Sequence, residues 1–209
     1  MHRENLTLVD HPLVVDSLAH LRDRHTDLKK FRYHSDQLCR FLFAEAMRGL
    51  SCRFETIATP LEEATVQKLA DEVVIVPVLR AGLAMLPAAL SVLPKAKVGF
   101  AGLVRDEATA VASEYYWKLP PITHDTVVLV PDPMLATGGS IEHVLSKIAK
   151  HHPKEMRVVC VVAAPEGVER IHAAYPHVRI IAAALDRGLD ERKYILPGLG
   201  DYGDRYFGT

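Results

Sequence analysis

An aspartate, a threonine, two glycines and a serine stand together where an apolar run ends: Val127-Val-Leu-Val-Pro-Asp132, then Pro133-Met-Leu-Ala-Thr137-Gly-Gly-Ser140. Val127 to Val130 reads as a buried strand, and the residues after Ser140 read as a helix. Glycines let a backbone come close to a phosphate. The N–H groups of a helix start and the hydroxyls of Thr137 and Ser140 can then donate to its oxygens. Asp132 is an acceptor when ionised, so it suits sugar hydroxyls rather than phosphate. Together these groups fit a sugar phosphate. Gly138-Gly139-Ser140 alone reads first as an ordinary strand-to-helix turn with a serine cap; the whole segment favours the ligand. No Gly-Lys-Ser/Thr closes it, so it is not a Walker loop, and it lacks the spacing of a dinucleotide fingerprint.

A second charged group, Arg80, follows another β-branched run and precedes Ala81-Gly82. A guanidinium fork suits the paired oxygens of a pyrophosphate; a surface salt bridge is an equal alternative. Arg105 stands at the base of a polar tip, where a solvated hairpin charge is the plain reading. Asp201, between Gly200 and Tyr202, reads by itself as a turn residue.

The elements that would position these groups alternate. Residues 27–48 carry a helical period (Leu28, Phe31, Leu38, Leu42, Ala46) with Gly49 at the stop. Residues 52–58 read as a strand, Val73 to Leu79 as a strand buried on both faces, and Gly82 to Ser91 as a short helix. Lys97 to Val104 and Glu114 to Leu119 flank Arg105-Asp106-Glu107 as two strands of a β-arm, about residues 98–120. Beyond the strand at 127–130, Ile141, Val144, Leu145, Ile148 and Ala149 mark a helix. Arg157 to Ala164 and Val178 to Leu185 read as strands, with a helix at Gly167 to Ala174. Residues 195–209 are dense in glycine and show no period. Strands alternating with helices predict an α/β domain, 1–209, with a largely parallel central sheet flanked by helices. In such sheets ligands sit at the carboxyl ends of strands. The loops after Leu79, Val130 and Leu185 are therefore the ones that matter.

Composition narrows the partners. Of 209 residues, 25 are Lys or Arg and 26 Asp or Glu, a net charge of −1, so no global footprint for nucleic acid exists. Neither a polybasic membrane anchor nor a bilayer-length apolar stretch occurs. The opening residues lack a long apolar core, so no signal peptide is expected. Cys39, Cys52 and Cys160 show no metal-ligand spacing and read as buried or partly buried thiols. The eleven histidines are scattered and suggest no metal site; His151-His152 suits the C-terminal end of a helix.

Asp132-Pro-Met-Leu-Ala-Thr-Gly-Gly-Ser140 resembles the loop that binds 5-phosphoribosyl-1-pyrophosphate (PRPP) in type I phosphoribosyltransferases. Most of that superfamily carry two adjacent acids here. The form with Pro133 in second place is similar to uracil phosphoribosyltransferases in particular. Val76-Pro-Val-Leu-Arg-Ala-Gly82 resembles that family's pyrophosphate loop. Arg105-Asp106 with Glu114-Tyr-Tyr resembles its β-arm. Ile195-Leu-Pro-Gly-Leu-Gly-Asp-Tyr-Gly-Asp-Arg-Tyr-Phe-Gly-Thr209 resembles its carboxyl-terminal uracil loop. The likeness runs from about Asp10 to the end. Two positions depart from it: Pro131 replaces a β-branched residue and Ala84 a frequent glycine; Tyr202 stands where many bacterial relatives have alanine, although aromatic residues also occur there in the family.

The resemblance implies the type I phosphoribosyltransferase fold and the conversion of uracil and PRPP to UMP and pyrophosphate, a pyrimidine-salvage step. It implies PRPP contacts from Arg80, Arg105, Asp132, Pro133, Met134, Leu135, Ala136, Thr137, Gly138, Gly139, Ser140 and Asp201. Uracil would be read by Ile195, Gly200, Asp201 and Tyr202, through their backbone. Arg105 and Asp201 carry the catalytic roles in this reading; Asp204 and Arg205 pair locally and shape the loop. A non-proline cis peptide is expected within Leu79–Gly82. Mg2+ would arrive on PRPP, with no direct protein ligand. A cytoplasmic homodimer or larger homo-oligomer, with GTP as a possible effector, completes the implication. The alternatives are a transferase for another nucleobase and a pyrimidine regulator of the same fold that binds RNA.

Overall fold

The computed structural model describes residues 5–105 and 112–209. Chain order is β1 (Leu6–Leu8), α1 (Pro12–Arg22), α2 (Leu28–Ala46), β2 (Cys52–Ala58), β3 (Glu63–Leu69), β4 (Glu72–Ile75) and β5 (Val78–Leu79). A 3-10 turn, Ala81–Met85, leads into α3 (Leu86–Val92), followed by β6 (Lys97–Val98), β7 (Phe100–Arg105) and β8 (Ala112–Lys118). Then come β9 (Thr126–Pro131), β10 (Met134–Leu135), α4 (Gly139–Ala149), β11 (Glu155–Ala163), α5 (Pro165–Ala174) and β12 (Arg179–Leu185). The chain closes with β13 (Gly188–Leu189), β14 (Ile195–Leu196) and α6 (Tyr202–Phe207).

The central sheet has the order β1-β12-β11-β9-β4-β6, with β10 added beside β11, and its pairings are all parallel. Each parallel neighbour needs a crossover, and α4 and α5 supply those from β9 to β11 and from β11 to β12. The placement of β9 accounts for its apolar run Val127–Val130. Val127 and Leu129 pack into one core layer with α1, α2 and α3, while Val128 and Val130 pack into the other with α4 and α5. A strand buried on both faces favours apolar side chains; the buried Thr126 at its start is satisfied by accepting the Thr123 N–H at 3.0 Å.

Several expected boundaries move. The run Val73–Leu79 is two strands, because Pro77 cannot continue the ladder: β4 stays in the central sheet and β5 leaves it to pair with β7. The Lys97–Val104 run likewise splits between β6 and β7, which belong to different sheets. The expected helix at Gly82–Ser91 begins as a 3-10 turn and becomes α-helical only at Leu86. The segment after Ile195 was expected to have no regular structure, yet it contains α6, capped by the Asp201 carboxylate on the Asp204 N–H at 2.9 Å. Three elements carried no clear period: β1, α1 and β3, the hairpin partner of β2. Cys39 and Cys160 are buried as expected, but Cys52 is exposed. Helix α4 stops at Ala149, which leaves His152 beyond it at a φ of 51°.

The β-arm strands β7 and β8 form as an antiparallel pair, and Asp106 and Glu107 lie outside the described residues. The arm is tied down at both sides. Its first strand continues the parallel pairing with β5, Val78 opposite Ala101 and Leu79 opposite Gly102. From its second strand, Glu114 accepts a 2.6 Å bond from Lys147 of α4, whose ammonium also stands 4.0 Å from the centre of the Trp117 ring. A cation held between a carboxylate and an aromatic face fixes the arm against α4.

Candidate active site

The loops after β4, β9 and β12 gather at one edge of the sheet, as the parallel topology requires. A cleft of about 90 Å³ there is lined by Asp132, Met134, Leu135, Ala136, Thr137, Gly138, Gly139, Ser140 and Ile141. Pro133 is not part of this wall; it is buried, and its carbonyl accepts the N–H groups of Val161 and Val162, both at 3.0 Å. Gly138 opens α4 at a φ of 78°, and a Cβ there would stand 3.0 Å from the Gly167 carbonyl. Glycine is therefore required twice over, for conformation and for space. The first N–H groups of α4 have no acceptor within the helix and are free to donate outward, as at any helix start.

Asp132 holds the floor of the cleft. Its N–H donates to the Val159 carbonyl at 3.1 Å, and its Oδ1 accepts the Met134 N–H at 3.3 Å. Part of the residue reaches the cleft, but the protein around the carboxyl dehydrates it. Burial pushes its pKa up to about 7, with the single Met134 N–H working weakly in the other direction. Behind it, burial and then the charge of Asp132 drive the Cys160 thiol far up, so that sulfur stays protonated.

Arg80 sits across from this floor. The Leu79–Arg80 peptide is cis, as expected for this loop. Gly82 follows, and a Cβ there would run into the carbonyl of Pro131, so the two loops touch backbone to backbone. The Arg80 side chain is 70% exposed, with its guanidinium 3.3 Å from Oδ1 of Asp204. The surface salt bridge is thus present, as a weak exposed pair with the guanidinium facing solvent. Asp204 also accepts the Thr209 hydroxyl at 3.1 Å. The expected local pairing of Asp204 with Arg205 does not form.

Arg205 turns the other way. Its guanidinium donates to the carbonyls of Leu21, Leu199 (2.7 Å) and Asp23 (2.6 Å) and lies over the Phe31 ring, so it pins the carboxyl-terminal loop to the end of α1. A second tie comes from Arg22. It forms two bonds to Asp186, at 2.6 and 3.0 Å, and a third to the Gly198 carbonyl at 2.7 Å. Asp186 in turn accepts the Gly198 N–H at 2.9 Å. Both polar groups of Gly198 are therefore held by a part-buried ion pair whose carboxylate is nearly buried. Within this loop Gly198 and Gly200 lie at φ of 61° and 80°, a conformation open to glycine, and the Leu196–Pro197 bond is cis.

Of the residues expected at the base, Ile195 is buried beneath the loop and Gly200 is exposed. The Asp201 carboxylate is engaged as the α6 cap. The Tyr202 side chain points into the core, 1% exposed, with its hydroxyl donating to Ser35 Oγ at 2.6 Å and its ring edge-on to Phe31. Only its backbone remains for the site. Gly203 stands close to Ala81, where an added Cβ would lie 3.7 Å from the Ala81 Cα. Contacts therefore run from Pro131 to Gly82 and from Ala81 to Gly203, joining all three loops. The backbone of Arg105 closes β7 opposite Ala112, at the foot of the arm tip, and its side chain lies outside the described residues.

The uracil phosphoribosyltransferase family model matches residues 8–209, nearly the whole chain. The chain belongs to the uracil phosphoribosyltransferase family. It is 45% identical over 203 residues to the uracil phosphoribosyltransferase of Shouchella clausii, covering 97% of both chains. The same identity, over 201 residues and 96% of each chain, holds for the uracil phosphoribosyltransferase of Staphylococcus aureus strain Newman. A solved protein from Aquifex aeolicus superposes with a TM-score of 0.93 at 38% identity, covering 98% of both chains. An adenine phosphoribosyl transferase from Trypanosoma brucei aligns over 94% of this chain and 88% of its own with a TM-score of 0.59 at 12% identity, a likeness of fold alone. The fold is that of the type I phosphoribosyltransferases.

Of the residues that hold the carboxyl-terminal loop, Arg22, Asp186 and Ser35 were not singled out from sequence, and Arg205 was expected to shape the loop but through Asp204 rather than through backbone carbonyls. An arginine ending a helix and an aspartate ending a strand carry no local signal of pairing across 164 positions.

Proposed function

We infer that this chain transfers the phosphoribosyl group of PRPP to N1 of uracil, releasing pyrophosphate and forming UMP, with Mg2+ carried by PRPP. What supports this reading most is the contact between three loops of different chemistry: a phosphate cradle with one carboxylate, an exposed arginine beside it, and a glycine-rich loop held by Arg22 and Arg205.

The Asp132–Ser140 cradle takes the ribose phosphate, its backbone N–H groups and hydroxyls meeting the phosphate and Asp132 the ribose hydroxyls. Burial raises the pKa of this carboxyl to about 7, and hydroxyls donating to it favour its ionised form. Arg80 leaves Asp204 for the pyrophosphate, a better partner than an exposed carboxylate because its paired oxygens match the fork. Arg105 approaches PRPP from the arm. The cradle wall offers one carboxylate, too few for a protein cage, which suits a magnesium ion that keeps its waters and substrate oxygens. That ion offsets the charge of the departing pyrophosphate.

In the transfer, uracil N1 forms the bond to the ribose carbon on the face opposite the pyrophosphate. The carbon–oxygen bond breaks, its electron pair leaves with pyrophosphate, and the N1 proton passes to Asp201 or to water. The protein contributes position and preorganised charge rather than a covalent intermediate. Uracil offers two carbonyls flanking an N3–H, a pattern that backbone groups of residues 195–203 can complement. Cytosine reverses two of these positions and would leave groups unpaired.

The reading treats the chain as one catalytic unit, cytoplasmic and homo-oligomeric, with GTP as a candidate effector; sedimentation with and without GTP tests the last two points. No described helix is long and apolar enough to cross a membrane. The activity itself is tested by mixing the chain with PRPP, Mg2+ and each common nucleobase. UMP from uracil alone supports it, and no nucleotide, or a purine nucleotide in its place, overturns it.

A further inference from the structure

The histidines scattered in sequence do not stay scattered in space. On α1, Asp16 and His20 are one turn apart and share a face, and His34 of α2 meets them across the helix pair. A ligand atom from each of the three lies within 4.8 Å of the other two. The imidazoles of His20 and His34 stack at 3.9 Å between centroids and 17° between planes. Nδ1 of His34 is 3.5 Å from the hydroxyl of Ser17, a nearly buried residue of α1, and this leaves Nε2 for a ligand. Among the described residues, this is the one group of three or more His, Cys, Asp or Glu side chains close enough to hold an ion.

We propose that Asp16, His20 and His34 form a site for one divalent transition ion of the zinc class, separate from the magnesium that PRPP carries. Two imidazoles and one carboxylate are the donor set of such ions, whereas magnesium selects oxygen alone. Tetrahedral zinc brings its ligand atoms to about 3.3 Å apart, so closing from 4.8 Å or less needs only side-chain rotation. Asp16 and His20 are exposed, which leaves room for the rotation that would unstack the two rings, and His34 is half-buried and held near Ser17. Three protein ligands leave the fourth position to water. A cation, Lys30, lies one turn before His34 and stands 3.8 Å from the Asp27 carboxylate.

The bound ion would fasten α1 to α2. The far end of α1 is Arg22, which holds Asp186 and Gly198. The site itself contains no residue of the three loops, so the proposal stands whether or not the chain uses uracil.

The test is a titration of the full chain, free of PRPP and magnesium, with Co2+ followed by visible absorption and with Zn2+ followed by calorimetry and thermal unfolding. One ion per chain is expected, with the intense visible band of tetrahedral cobalt and a melting temperature that rises with Zn2+. His20→Ala and His34→Ala should each weaken binding at least about tenfold and abolish the zinc-dependent rise. His34→Gln keeps a polar group beside Ser17, so its circular dichroism and zinc-free melting should match the wild type while binding is still lost. His151→Ala/His152→Ala should bind as the wild type does. Absence of saturable binding, binding that survives either single substitution, or loss only in the His151/His152 variant would each overturn the proposal.

Discussion

Replacing Asp132 with asparagine separates the cost of a dehydrated carboxylate from its use. The amide keeps an oxygen for the Met134 N–H and cannot ionise. In the wild type, burial lifts the carboxyl from 3.8 to about 7. The folded pKa is above the unfolded one, so between about pH 4 and pH 7 the folded chain keeps a proton that the unfolded chain has lost. Stability must then fall as pH rises through that window. At 1.36 kcal/mol per pH unit the full rise corresponds to about 4 kcal/mol. The cleft admits water to part of the residue, which reduces the expected effect to roughly 1–3 kcal/mol. Urea unfolding without PRPP, at half-unit steps from pH 4 to pH 8, measures it. Asp132→Asn should match the wild type near pH 4 and exceed it by roughly 1–3 kcal/mol at pH 8, while its PRPP affinity falls. A stability difference that stays constant with pH, or a wild type that gains on the variant as pH rises, would refute the account of this site.

Arg80→Ala should keep its fold, since the lost pair with Asp204 is exposed, and should weaken PRPP by roughly 1.5–3 kcal/mol; initial rates against PRPP concentration measure this, and unchanged PRPP kinetics would remove Arg80 from the site. Tyr202→Ala should cost about 3–5 kcal/mol of stability for the cavity left against Phe31 and Ser35, yet whatever remains folded should keep its uracil-over-cytosine ratio. Tyr202→Pro removes the N–H itself, so competition assays should show a weaker preference for uracil; a normal ratio there would contradict backbone reading. Arg22→Ala strands the nearly buried Asp186 carboxylate, and breaking such a pair costs about 3–5 kcal/mol; denaturant midpoints should drop accordingly, and the KM for uracil should rise more than that for PRPP.

The cradle was the most legible part of the sequence because its chemistry is local. Strand, acid, glycines and helix follow one another within Val127–Ala149, and the structure keeps them in that order. Strands β9 and β11 were legible for a similar reason, since burial on both faces leaves the apolar runs Val127–Val130 and Val158–Ala163. What the sequence hid is non-local. Arg22 meets Asp186 and Gly198, Tyr202 meets Ser35, and Glu114 meets Lys147, pairings that only the folded topology creates. Pro77 dividing β4 from β5 was visible as a residue, but the transfer of β5 to the arm depends on where β7 lies. The α6 helix was hidden because its six residues span less than two turns, too few to show a period, and its stability comes from the Asp201 cap and from Tyr202 in the core.

The central claim is that the cradle binds PRPP and the glycine-rich loop selects uracil for attack on it. The most direct measurement is single-turnover conversion of labelled uracil at saturating PRPP and Mg2+, with cytosine and hypoxanthine as competitors, following UMP and pyrophosphate together. The account predicts equal amounts of UMP and pyrophosphate, dependent on PRPP and unaffected by cytosine. Pyrophosphate without UMP, or a nucleotide formed as readily from cytosine or hypoxanthine, would contradict it.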